Sequence, residues 1–213
     1  MIMDIQIPEI GAFPQGFPNH WLNIYFMGRK PGSFQAHAIT TTYVRCVESA
    51  LSSYALARAG TLEFWDVGLG FKFGAINGAT THFETCITNM HRAGSCMTAL
   101  HSRNDIPPNF KSLISPKPRF ARGAAQSTIR TVRRLIQHLE QKVLSGDEIP
   151  ENSPFFVKTE GPEVPVEGDP GQTIKTLDRL KIGAVEVPFS DLCEWLIEMG
   201  EYASSIATYQ GEV

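Results

Sequence analysis

Between residues 74 and 103 the apolar side chains fall at Ile76, Ala79, Phe83, Cys86, Met90, Ala93, Met97 and Leu100. The steps alternate between three and four without a break, which is the pattern of a helix that buries one continuous stripe. Thirty residues at 1.5 Å each give a rod of roughly 45 Å, the width of a whole domain. A stripe that long must be covered along its length, so the chain has to supply other helices or a sheet to cover it. Ala79 and Ala93 are small and allow a neighbouring helix to come close.

The neighbouring segments supply helices. Residues 34–59 carry Ile39, Tyr43, Cys46, Val47, Ala50, Tyr54 and Ala57 at helical spacing, with Ser33 as N-cap and Gly60 as stop. Residues 124–145 and the segment "DLCEWLIEMGEYASSIATY", capped by Ser190, complete a set of four. Residues 1–33 show no helical period and read as an ordered arm on the domain, because so many aromatics are costly to leave wet. Residues 147–173 are an acidic, Pro/Gly-rich excursion, with "FFVK" and "LKIGAVEV" as a strand pair before the last helix. The expected fold is all-α and four-helix-bundle-like, a single domain over 34–213 with one small strand pair.

"FWDVGLGFKFG", residues 64–74, alternates apolar groups at a strand's period from Trp65 to Phe73, or else forms a long connection packed by aromatics. Its glycines, Gly68, Gly70 and Gly74, are not spaced for a phosphate loop.

Charge and composition narrow the function. A net charge of −3 argues against broad non-specific nucleic-acid binding and leaves room for a local basic patch. No apolar run is long enough to span a bilayer and no secretory leader is recognisable, so the expected setting is cytoplasmic, with no membrane partner. The four cysteines lie in helical patterns and form no CxxC, so reduced thiols are expected. His82 and Cys86 stand at i and i+4, but no four-ligand set accompanies them, so no metal and no cofactor is expected.

The segment "IRTVRRLIQHLEQKV", residues 129–143, carries the most chemistry. On a helical wheel Ile129, Val132, Ile136, Leu139 and Val143 gather into one core stripe. Arg130, Arg134 and His138 follow at i, i+4 and i+8 on a face away from it, while Arg133 flanks the stripe. Two readings stand. One is a solvated helix surface. The other is a phosphate site, because a guanidinium grips phosphate oxygens bidentately and imidazole moves protons near neutrality. The preceding proline-punctuated loop adds Lys117, Arg119 and Arg122. His91, Arg92, His101 and Arg103 stand near it, as helix surface or as part of an anion site.

The pair Arg133-x4-His138 on a late helix resembles the Rx4–6H motif of the HEPN superfamily. The similarity extends, as architecture, over about residues 34–209. The residue after the arginine, typically small and polar in that family, is Arg134 here. The resemblance implies a metal-independent RNA endonuclease, acting as a homodimer in a toxin–antitoxin or defence context, with an antitoxin or other protein as partner. It casts His138 as the proton-transfer group for the attacking 2′-hydroxyl and Arg133 as the phosphate holder. Arg130, Arg134, Lys117, Arg119 and Arg122 would hold the RNA backbone. On a straight helix Arg133 and His138 project about 140° apart, so that pair meets across a two-fold axis or after a kink, and within a single protomer Arg134 is the better partner for His138. The alternative is a non-catalytic helical module that binds RNA backbone or a protein partner.

Overall fold

The computed structural model describes residues 1–11, 16–65, 72–146 and 157–211. In chain order its elements are β1 (Ile2–Ile5), α1 (Gly16–Tyr25), α2 (Phe34–Trp65), α3 (Phe73–His101) and α4 (Pro108–Leu113). After a 3-10 turn (Arg119–Ala121) come α5 (Gly123–Ser145), β2 (Lys158–Glu160), β3 (Glu163–Val166), β4 (Asp169–Leu177), β5 (Arg179–Ile182), β6 (Val185–Pro188) and α6 (Phe189–Ala207). The chain divides into two compact units. The first comprises Met1–Glu9, Ser53–Thr85 and Thr131–Cys193, and the second Ile10–Ser52, Cys86–Arg130 and Glu194–Val213.

The all-α expectation is overturned: the fold is mixed, with helices dominant and two three-stranded sheets in the first unit. One sheet has the order β1–β4–β3, with β1 parallel to β4 (Ile2 opposite Ile174) and β3 antiparallel to it. The other has the order β2–β5–β6 and is antiparallel throughout. The expected second strand, "LKIGAVEV", is a hairpin. Ile182 pairs with Val185, and Gly183 takes a φ of +56° in the two-residue turn between them. That geometry suits a type II′ turn, whose first central residue needs a positive φ. Much of the acidic excursion is also strand. Pro165 is tolerated there because β3 is an edge of its sheet, where a missing N–H donor costs little. Residues 147–156, with Phe155 and Phe156 of the "FFVK" expectation, lie outside the described residues.

The stripe of α3 behaves as its spacing requires. Ala79, Phe83, Cys86, Met90, Ala93, Met97 and Leu100 are all buried, while Ile76 is half-buried. Ser33 caps α2, its Oγ accepting the Ala36 N–H at 3.2 Å. Gly60 does not stop α2, which runs on to Trp65. Its role is steric: a Cβ there would lie 2.8 Å from the Ala75 carbonyl oxygen and 3.2 Å from the Ala79 Cβ. Phe73 begins α3, so the strand expected over 65–73 is helix at both ends, and residues 66–71 with Gly68 and Gly70 lie outside the described residues.

Around this contact the first unit packs Tyr54 edge-on against Phe83, and Phe83 against Phe189 at 5.6 Å. The N-terminal segment is held by α2. Tyr54 Oη donates to the Pro8 carbonyl at 2.8 Å and Arg58 Nε to the Ile7 carbonyl at 3.0 Å. In the second unit Tyr43 is fully buried, stacks on Phe120 and donates to the Met199 carbonyl at 2.9 Å. Cys46, Cys86 and Cys96 are in no disulfide. Among the described residues no helix is long and apolar enough to cross a membrane.

Gly60→Val forces a branched side chain into contact distance of α3 backbone. The expected loss is about 2 kcal/mol of unfolding free energy, the net of overpacking and a small gain in helix propensity. Urea denaturation checks it, and a variant as stable as the native chain contradicts the steric account.

Candidate functional site

α5 is strongly amphipathic, and its inner stripe is held by Ile129, Val132 and Ile136, all buried. The stripe ends sooner than its periodicity suggests. Leu139 is half-buried, and Val143 is 56% exposed with Leu144 at 86%. Periodicity tells which face of a helix is apolar; it does not tell where the covering surface ends.

With the stripe fixed, the polar side chains of α5 are placed by helical geometry. Arg134 and His138, in the first unit, are exposed, and Arg133 is half-buried. Arg130, the last residue of its segment in the second unit, is exposed. No hydrogen bond or ion pair with another described residue engages any of these four side chains. Arg133 therefore stands apart from Arg134 and His138, and among the described residues of its unit no hydrogen bond orients His138. Arg134 and His138 lie one turn apart on one exposed face of α5.

The loop cations, in the second unit, are partly engaged. Arg119 is 61% exposed but lies 3.5 Å from Glu194 and 3.9 Å from Glu198. Glu198 does more than balance that charge, because its carboxylate accepts the backbone N–H groups of Arg119 and Phe120 at 3.0 and 3.1 Å. These two bonds satisfy donors at the start of the 3-10 turn and hold Phe120 against Tyr43. Tyr202 Oη, donating to the Pro116 carbonyl at 2.7 Å, anchors the same loop. Lys117 is half-buried and Arg122 exposed. Arg103 is committed to Asp105, with Nε 2.7 Å from Oδ1.

Among the described residues no group of three or more His, Cys, Asp or Glu side chains is arranged for a metal. Cys86 is fully buried with its Sγ 3.8 Å from the Met90 sulfur, and burial pushes its thiol well above the ordinary range. It stays a neutral packing group.

One polar cluster in the second unit has no signature in the sequence. His20 is 4% exposed, and its Nε2 is buried without a partner, as is Nδ1 of His37. His20 lines a cleft with Asn23, Arg29, Thr40, Phe110 and Tyr209, with room of about 10 Å³, enough for one water. Arg29 donates to Asn23 Oδ1 at 3.0 Å, which turns Asn23 Nδ2 toward the Ala207 carbonyl at 2.9 Å. Burial first, and the neighbouring His37 second, lower the His20 pKa to about 4. His37 is lowered by burial and then by Lys30.

His20 thus stays neutral in the fold where the unfolded chain would protonate it. Between pH 6.5 and about 4 the unfolded state binds the extra proton, so stability is intact above 6.5 and falls with the pH below it. The full loss is on the order of 3 kcal/mol. Thermal unfolding from pH 7 to 4.5 should show a smaller drop in midpoint for His20→Leu than for the native chain. Equal drops would contradict this assignment.

Comparison of the chain with protein-family models, with curated proteins and with solved structures finds no match in any of the three.

Proposed function

We propose that the outward face of α5 binds the phosphate backbone of RNA as a non-catalytic interaction surface. The supporting observation is the contrast between two sets of arginines. Arg103, Arg119 and Arg179 are each paired with carboxylates, whereas Arg130 and Arg134, like Arg45, Arg92 and Arg122, are exposed with no carboxylate partner among the described residues. Two guanidinium groups one turn apart repel slightly and contribute nothing to packing. Their planar forks suit successive phosphates, and His138 one turn further adds a hydrogen-bonding imidazole. With a net charge of −3 for the whole chain, attraction would be confined to this face.

The second reading is the dimeric, metal-independent ribonuclease of HEPN type, with Arg133 of one copy facing His138 of another. The exposed Val143 and Leu144, toward the same end of α5 as His138, favour it as apolar groups that a second copy would cover. A toxin–antitoxin or defence setting would follow from that reading alone.

Fluorescence anisotropy with a labelled single-stranded RNA separates the two. The binding surface predicts that Arg130→Ala/Arg134→Ala weakens binding roughly ten- to a hundredfold at low salt with the fold unchanged. Equal binding by native and double variant sinks that reading. The ribonuclease reading predicts RNA cleavage that disappears in His138→Ala while the dimer persists. An intact RNA after long incubation with a dimeric native chain counts against it.

A further inference from the structure

The first unit contains a cavity of about 180 Å³ that the proposed RNA-binding face does not use. Ile76, Ala79, Phe83 and Val157 give it an apolar wall. A dry cavity of about 150 Å³ with such a lining is known to take a benzene-sized guest. This one is partly open and also carries polar groups. Trp65 lines it, and the Trp65 indole Nε1–H is buried with no acceptor. Native interiors seldom leave a donor so placed. The indole is held edge-on to Phe64, with ring centroids 4.8 Å apart.

Two other polar groups of the lining, the Thr61 and Thr80 hydroxyls, are already committed, while Thr159 also lines the cavity. Thr61 Oγ1 donates to the Ala57 carbonyl at 2.9 Å and Thr80 Oγ1 to the Ile76 carbonyl at 3.0 Å. The Lys158 ammonium lies 2.8 Å from Glu160, whose carboxylate also meets Lys175 at 2.6 Å. An anion in this cavity would have to compete with Glu160 for Lys158, and burying an anion without a cation of its own is costly.

We infer that this cavity is a binding site for a small, neutral, mainly apolar molecule with one acceptor oxygen that takes the Trp65 Nε1–H. A ring with a short carbonyl-bearing substituent has the right size and polarity. The ligand class follows from volume, lining and the open Trp65 donor together.

The test is an NMR titration of the full chain followed at the tryptophan indole N–H signals, with Trp65 assigned through Trp65→Phe. The probes are acetophenone, toluene of similar shape without the acceptor, and benzoate with a charge. Acetophenone should shift the Trp65 indole saturably with a Kd on the order of 1 mM or tighter. Toluene should bind roughly five- to tenfold more weakly, and benzoate not measurably. Trp65→Phe should reduce acetophenone affinity to that of toluene, and Ile76→Phe should abolish binding of both by filling the space. No saturable response at the Trp65 indole overturns the site. Toluene or benzoate binding as tightly as acetophenone overturns the assignment of its ligand. The three-probe comparison on the native chain decides this even where a variant fails to fold.

Discussion

The contact of Gly60 with Ala75 and Ala79 is the constraint on which the first unit depends. It brings the backbones of α2 and α3 closer than any side chain larger than hydrogen would allow at that position. Two consequences follow. α2 continues past its glycine to Trp65, and Phe83 comes within reach of both Tyr54 and Phe189. The helix end then carries an indole to the wall of a cavity formed with α3 and the start of β2. A helix-breaking residue by propensity is here a helix-joining residue by packing, because tertiary contact outweighs about 1 kcal/mol of intrinsic preference.

The helices were readable because their stripes are local patterns. The α3 seam and the inner stripe of α5 up to Ile136 are buried where their spacing places them, and Ser33 caps α2. What was not readable depends on partners far away in the chain. β1 is a four-residue strand whose ladder is made with residues 174–177, and nothing in "IMDI" announces that partner. The β5–β6 hairpin hides behind an alternation that continues across Gly183, so one strand and two look alike. The alternation from Trp65 to Phe73 suggested a strand where both ends are helix. Val143 was assigned to a core that ends before reaching it.

The same distinction separates the candidate site residues. Helical geometry alone puts Arg130, Arg134 and His138 on the outer face of α5, and their exposure agrees with it. Arg119 looked like a free loop cation; its carboxylate partners lie about eighty residues away on α6, beyond any local pattern. His20 and Trp65 carried no signal, because an unpartnered buried nitrogen is a property of surroundings and not of spacing. The two features proposed for binding therefore differ in kind. One is a charged face that solvent leaves available, and the other is a largely apolar space with an unanswered indole donor.

The central functional claim is electrostatic, and salt tests it most directly. Affinity for a single-stranded RNA should be measured at several ionic strengths with the native chain. If the α5 arginines neutralise phosphates, the logarithm of the binding constant falls linearly with the logarithm of salt, with a slope between about −1 and −2. A binding constant indifferent to salt, or no measurable binding at the lowest salt, would contradict the account.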